Sequence, residues 1–310
     1  MKFAKLIACA SVLCMTASTV SAKDLESIGI SVGLLGNPFF VAAIKGIEAE
    51  ARKVNPDVKI TSVSADYELN KQSSQIDSFI AAGVDMIMLN AVDQNAIAPA
   101  VKRAKDAGVV VASFDVSAPG SDVTVMTDNV AAGQKACQYI VDQLNGKGDV
   151  IIINGPGSSS LQDRYKGCKT VFEANEGIKI LSEDQNGGAS RDGGLNTAQS
   201  LLTRFDKIDG IFALNDPMAQ GADLAARQQG RSEFIITGVD GAPDTEVALN
   251  NESSLIRATS SQDPYSMAGQ AFRMGYEFFK GNKPEKDTVL IDPVLITREN
   301  VKDYTGWTAR

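Results

Sequence analysis

Two pairs of polar residues recur in this chain at equal spacing. One apolar run, from Asp85, ends in Asn90, and another, from Asp209, ends in Asn215. In both cases a second apolar run ends 25 positions later in an aspartate, Asp115 and Asp240 (115 − 90 = 240 − 215 = 25). A carboxylate only accepts hydrogen bonds, whereas a carboxamide both donates and accepts, so the set suits a ligand covered in hydroxyl groups. Bonds from hydroxyl to carboxylate are charge-assisted and belong to the stronger kind. Taken singly, such residues also serve as helix N-caps or turn formers. Their recurrence at equal spacing points to a shared role and to two similar halves.

A second cluster lies near the amino terminus. Asn37 is followed by Pro38 and then by the adjacent aromatics Phe39 and Phe40. Adjacent rings at this position ordinarily pack into a core; one can instead turn its face to the C–H side of a polyhydroxylated ligand while Asn37 reaches a hydroxyl. The chain has no histidine, which removes Ser-His-Asp triads, His-based zinc sites and imidazole acid–base pairs from consideration. Gly155-Pro156-Gly157-Ser158-Ser159-Ser160 follows an apolar run, yet it lacks the third glycine of a dinucleotide loop and reads as a tight turn. No nucleophile elbow, phosphate-binding lysine loop or carboxylate cluster at metal spacing occurs. No cofactor, metal or bond-breaking machinery is expected.

The elements that must position these residues alternate. Apolar runs at 28–34, 58–63, 86–89, 109–114, 150–153, 178–181, 211–214 and 234–239 read as short buried strands. Helical periodicity fills the intervals, notably 38–54, 71–82, 130–144 and 162–175. Short buried strands separated by helices of this length indicate parallel sheets with crossover helices. A polar residue just beyond such a strand sits at its carboxyl end, where α/β sheets bind ligands. Asn37-Pro38, Asp216-Pro217 and Asp263-Pro264 each read as a capping residue with proline at the first helical position. No flexible linker divides the halves, so a strand or short crossing near Met126 to Asn129 must join them.

Lys2 and Lys5, the apolar stretch from Leu6 to Cys14, and Val20-Ser21-Ala22 form the layout of a secretory signal peptide cleaved after Ala22. Cys14 opens a lipoprotein alternative, but Leu13 before it fits a lipobox poorly. Cleavage takes the formal charge from −8 to −10, since two lysines and no acids leave (−8 − 2 = −10). With no basic cluster, nucleic acid is not expected as a partner. The remaining 288 residues (310 − 22 = 288) exceed one comfortable core and imply two domains. Two of the four cysteines leave with the leader. Cys137 and Cys168, on two helical segments, either form a disulfide in an oxidising compartment or remain two small buried thiols.

Gly36-Asn37-Pro38-Phe39-Phe40, Thr127-Asp128-Asn129, Asn215-Asp216-x-Met218-Ala219-x-Gly221 and Gly238-Val239-Asp240-Gly241-x-Pro243-Asp244, in this order, cover essentially the whole mature chain. The set resembles the ribose-binding-protein type of periplasmic sugar-binding protein. It is similar also to the effector domain of LacI-type repressors, but the exported start and the lack of a helix-turn-helix argue against that branch. The resemblance implies an α/β fold of two Rossmann-like lobes with parallel sheets, joined by a three-segment hinge. The first lobe is expected at 23–127 plus 263–290 and the second at 128–262 plus 291–310. Asn37, Phe39, Phe40, Asn90, Asp115 and Thr127 would line the first lobe, and Arg164, Asn215, Asp240 and Gln262 the second lobe and hinge. For Arg164 a structural salt bridge is the competing role, and for Gln262 a hinge spacer without ligand contact.

The implied function is a monomeric periplasmic solute receptor that binds a monosaccharide or polyol and delivers it to an ABC transporter permease. A receptor docking a chemoreceptor or sensor kinase, and an exported sugar-modifying enzyme, are the alternatives. Two departures from the ribose-type pattern bear on the ligand. An arginine that follows the first aspartate there is Val116 here, and an aromatic before Ser190-Arg191 is Ala189 here. A less polar, roomier side of the pocket is expected, with Arg191 as a candidate replacement donor.

Overall fold

The computed structural model describes residues 24–307; the leader expected at 1–22 lies outside the described residues. Six strands form the first sheet: β1 (Ser27–Val32), β2 (Lys59–Ser64), β3 (Met86–Leu89), β4 (Val110–Phe114), β5 (Val123–Thr127) and, from far along the chain, β11 (Thr288–Ile291). Their order is β11-β5-β4-β3-β1-β2 and every pairing is parallel. The second sheet holds β6 (Gly148–Ile153), β7 (Ile178–Ser182), β8 (Gly210–Ala213), β9 (Ile235–Asp240), β10 (Ile256–Ser261) and β12 (Leu295–Thr297). Its order is β12-β10-β9-β8-β6-β7, parallel except for β12 against β10. The α/β class with two mostly parallel sheets is therefore the observed one.

Helices α1 (Pro38–Val54), α2 (Leu69–Ala82), α3 (Ala98–Asp106), α4 (Asn129–Gln143), α5 (Ser159–Glu173), α6 (Arg191–Arg204), α7 (Asp216–Gln228), α8 (Pro243–Leu249) and α9 (Pro264–Phe279) cover the sheets. In the first lobe, successive strand residues serve opposite cores because side chains alternate across a sheet. Met86, Met88, Ala112 and Phe114 join Phe272 of α9 in one apolar cluster. Ile87, Leu89 and Val111 join Val101 and Ala104 of α3 in another. The aspartates that open the two repeats do the same job: Asp85 Oδ2 accepts from the Glu26 and Ser27 amides, and Asp209 Oδ2 accepts from the Asp149 amide. Each ties the start of one strand to its neighbour.

Strands β5, β10, β11 and β12 do not stand out as apolar runs. In β10 the reason is visible: its Ser and Thr side chains are buried because each finds a partner. Thr259 Oγ1 donates to Asp216 Oδ1 at 2.8 Å and Ser260 Oγ donates to the Ala132 carbonyl at 2.8 Å. A buried hydroxyl with a partner costs little, so polarity there does not mean exposure.

The chain passes between the sheets three times: after Thr127, through Gln262 and Asp263, and between Ile291 and Leu295. These crossings are bonded together. The Asp128 amide donates to the Ile291 carbonyl at 2.8 Å, and the Ser261 amide donates to the Val294 carbonyl at 2.7 Å. Thr127 Oγ1 donates to Gln262 Oε1 at 2.9 Å.

Helices α4 and α5 cross with their backbones in contact. A β-carbon added to Gly133 would fall 2.0 Å from the Arg164 carbonyl oxygen, and one added to Gly167 would fall 2.1 Å from that of Val130. Cys137 and Cys168 are disulfide-bonded close by, across a sequence separation of 31. Glycine and disulfide together hold the turn of α5 that carries Arg164. Closing a loop of this length restrains the unfolded chain, so Cys137→Ser with Cys168→Ser is expected to lose about 2–4 kcal/mol of stability. Urea unfolding of the mature protein against the double variant measures it.

Candidate functional site

Asp115 and Asp240 occupy the carboxyl ends of β4 and β9, and both adopt backbone conformations rare for residues with a side chain. Asp115 has φ of 65°, with the Val116 amide bonded back to the Phe114 carbonyl at 2.7 Å. Asp240 has φ of 145° and precedes Gly241 at φ 69°. Strain of this kind persists only where surrounding contacts over-determine it. Here the contacts are those of the carboxylates themselves.

Asp115 Oδ2 accepts from Asn90 Nδ2 at 2.8 Å, so the first Asn–Asp pair is one hydrogen-bonded unit. Asp240 Oδ1 accepts from Arg164 Nη1 at 3.1 Å and from Gln262 Nε2 at 2.8 Å. Arg164 is itself buried and held on two other sides, by Asn129 Oδ1 at 2.9 Å from Nε and by the Leu214 carbonyl at 2.9 Å from Nη1. Its second terminal nitrogen donates to no group among the described residues. Arg164 also acts through space on Asp115 in the other lobe, drawing its pKa down, while Asp240 pushes it up. The three charged groups thus share one small region between the lobes.

The second pair is wired differently from the first. Among the described residues Asn215 bonds other groups than Asp240: it caps α7, with Oδ1 accepting from the Met218 amide at 3.0 Å and Nδ2 donating to the Ala189 carbonyl at 3.0 Å. The helix therefore starts one residue earlier than Asp216-Pro217 implies, with Asp216 inside its first turn. Asp216 faces inward, fully buried, and Oδ2 accepts from the Ala242 amide at 2.8 Å. Asn37 also caps, its Oδ1 accepting from the Phe39 amide at 2.9 Å. The capping role thus holds for two of the asparagines and not for Asn90. The cap expected from Asp263-Pro264 is present, with Asp263 accepting from the Ser266 amide.

Phe39 and Phe40 are both buried and meet edge to face at 5.5 Å between centroids. Phe39 makes a second edge-to-face contact at 5.5 Å with Trp307, which sequence reasoning did not single out. Trp307 Nε1 donates to the carbonyls of Asp240 at 3.1 Å and Gln262 at 3.0 Å. One side chain near the end of the chain thus links the first-lobe aromatics to the carboxyl end of β9. No local pattern marks it. Being the sole tryptophan was the available signal. Thr127 and Gln262 meet each other, and Gln262 in turn carries Asp240, so the hinge and the site are continuous.

Two contacts away from the hinge crossings run between the lobes: the Ser117 amide to Ser159 Oγ at 3.4 Å, and Gln94 Nε2 to Gln162 Oε1 at 3.5 Å. The serine loop before α5 takes part in lobe contact through Ser159. Val116 belongs to the apolar cluster of Ile97, Val101 and Ala118. Ala189 has φ of 53°, and its carbonyl holds Asn215.

Two α/β lobes joined by three crossings around a buried polar cluster define the type I periplasmic binding proteins. The chain belongs to that family: the description "periplasmic binding protein domain" matches residues 28–283. It is 33% identical over 267 residues to the ribose import binding protein of Bacillus subtilis, covering 85% of each chain. It is 30% identical over 292 residues to the xylitol-binding protein of Mycolicibacterium smegmatis, covering 93% of this chain and 82% of that one. Among solved structures it is similar to the Caulobacter myo-inositol binding protein bound to myo-inositol, with TM-score 0.82 and 30% identity, covering 91% of this chain and 96% of the other. The family is periplasmic, and among the described residues no helix is long and apolar enough to cross a membrane.

Burial, opposed by Arg164 and Asn90, pushes the Asp115 carboxyl up to about 6 from an ordinary 3.8. Burial also raises Asp240, and burial with the Asp240 charge raises Asp216 to about 7. Between pH 3.8 and about 6 the native state retains the Asp115 proton that the unfolded chain has lost. Stability therefore declines as pH rises through that window, and above it the ionised carboxylate burdens the unliganded protein. Asp115→Asn is expected to raise Tm near neutral pH and to leave it unchanged at acid pH. Thermal unfolding of both proteins across the window tests this; equal Tm at every pH would count against it.

Proposed function

We propose that this protein is a solute receptor that binds a monosaccharide or related polyol between its lobes and delivers it to the permease of an ABC importer. The observation that carries the reading is the convergence of Asp115 from one lobe with Arg164 and Asp240 from the other. Each carboxylate accepts hydroxyl protons, and the unengaged nitrogen of Arg164 donates to a ring or hydroxyl oxygen. A single molecule reaches all three only when the lobes are together, so ligand favours the closed state through its differential contacts. Asn90 orients Asp115, and Gln262 couples Asp240 to the hinge. Phe39 and Phe40 supply the apolar side, Asn37 and Thr127 complete the first-lobe wall, and Asn215 shapes the second through its bond to Ala189.

The names of the relatives, which bind ribose, xylitol and myo-inositol, support a small polyhydroxylated ligand. Val116 and Ala189 in place of an arginine and an aromatic favour a ligand bulkier or less hydroxylated than ribose on that side. A thermal-shift screen over pentoses, hexoses and polyols is expected to yield a ligand that raises Tm without being consumed. At 100 times its Kd the stabilisation is about 2.7 kcal/mol. Asp240→Ala is expected to weaken that ligand by roughly 1–3 kcal/mol in titration calorimetry, since it leaves hydroxyls and Arg164 unpaired. Turnover of a sugar by the purified protein would overturn the reading.

Closure has an internal reporter. Trp307 is the one tryptophan of the chain and packs against Phe39 while bonding to second-lobe carbonyls. Titration with the screening ligand is expected to change intrinsic fluorescence with the same midpoint as calorimetry. A spectrum unchanged at saturation would show that the lobes do not move about this contact.

A further inference from the structure

The loop after β2 contains two consecutive left-handed residues, Asp66 at φ 52° and Tyr67 at φ 58°. Neither is glycine, so the turn is strained and must be held by its neighbours. The Ala65 amide bonds the Val32 carbonyl at 2.9 Å, and the Tyr67 amide bonds the Gly33 carbonyl at 3.2 Å. Asp66 accepts from Ser64 Oγ at 2.6 Å and pairs with Lys71. What this arrangement achieves is the placement of one ring. Tyr67 lies against the backbone at the carboxyl end of β1, where a β-carbon added to Gly33 would fall 2.5 Å from ring atom Cε1.

Tyr67 nevertheless remains 58% exposed. Burial raises the pKa of its hydroxyl, the Asn37 side chain opposes that, and the charges of Asp115 and Asp240 add to it. Gly33 directly follows β1, and the neighbouring strand β3 leads into Asn90, whose amide bonds the Ser31 carbonyl at 3.0 Å, so the ring stands at the same edge of the sheet as the first-lobe site residues. Asn37 Oδ1 is occupied by the Phe39 amide, so a bond from Asn37 to the Tyr67 hydroxyl runs from Nδ2. A phenol that accepts from an amide still has its own proton to give.

The Asn90–Asp115 pair supplies no donor of that kind to a ligand. Asp115 only accepts, Asn90 Nδ2 is spent on Asp115, and the residue after Asp115 is the apolar Val116. We propose that Tyr67 is a specificity-determining residue of the cleft: its hydroxyl donates to an oxygen of the bound sugar or polyol, and its exposed ring walls the ligand's apolar face. The inference rests on the solute-receptor reading and extends it to a residue outside the Asn and Asp repeat.

The test is calorimetric titration of the mature wild-type protein, Tyr67→Phe and Tyr67→Ala with D-ribose, xylitol, D-allose and myo-inositol. For those sugars that wild type binds, Tyr67→Phe is expected to weaken binding about 2- to 12-fold, the loss of one net hydrogen bond. Tyr67→Ala removes the ring as well and is expected to weaken binding about 10- to 100-fold. The rank order among the four ligands should change in both variants, which a merely structural role for Tyr67 would not produce. Wild-type affinities and rank order in both variants would overturn the proposal while leaving the receptor reading intact. Failure of wild type to bind any of the four would count against the receptor reading, and this inference would fall with it. If Tyr67→Ala does not fold, Tyr67→Phe, which keeps the ring and its packing on Gly33, decides the matter.

Discussion

The buried ion pair between Arg164 and Asp240 is the interaction on which the rest of this structure depends. Two charges removed from water are costly unless they are paired and further hydrogen-bonded. Arg164 is bonded through Nε and Nη1 to Asn129, the Leu214 carbonyl and Asp240, which leaves one terminal nitrogen for a ligand, and Asp240 is bonded by Arg164 and Gln262. These partners come from α4, the end of β8, β9 and a hinge crossing. One ion pair therefore constrains the relative placement of most of the second lobe. It also explains the close crossing of α4 and α5, because only glycines at 133 and 167 bring the turn carrying Arg164 near enough.

Asp115 stands in a different electrical position. Its partner within the first lobe is an uncharged amide, and the positive charge that draws its pKa down, Arg164, belongs to the opposite lobe. Closing the lobes brings that charge to it, but brings Asp240 as well. The site is a field with one cation among buried carboxylates, and donors from a polyhydroxylated molecule relieve it. This arrangement ties ligand recognition to lobe closure without a separate switch, since the same hinge residue, Gln262, bonds Thr127 on one side and Asp240 on the other.

Much of this was legible in the sequence. Runs 86–89 and 38–54 coincide with β3 and α1, because continuous burial and amphipathic periodicity leave direct marks on composition. Asn90 and Asp115 stood out through spacing alone. Strands near the hinge were less legible, since β10 buries serines and threonines whose partners come from distant elements. The start of α7 was displaced by one residue because Asn and Asp are both good caps, and only the inward burial of Asp216 decides between them.

By itself the sequence determined the alternation of strands and helices, the duplication, and the chemical character of the residues at the strand ends. Those follow from local periodicity and from which side chains tolerate burial. Only the tertiary structure decided which of them meet: that Asn90 bonds Asp115 while Asn215 bonds Ala189 instead of Asp240, that Arg164 bonds one carboxylate and influences the other, and that Trp307 belongs near the site. The reason is physical. Trp307 lies 67 residues from Asp240 along the chain, and Arg164 lies 76 from it. Contacts at such separations depend on how helices pack and where the hinge crosses, and no local pattern encodes them.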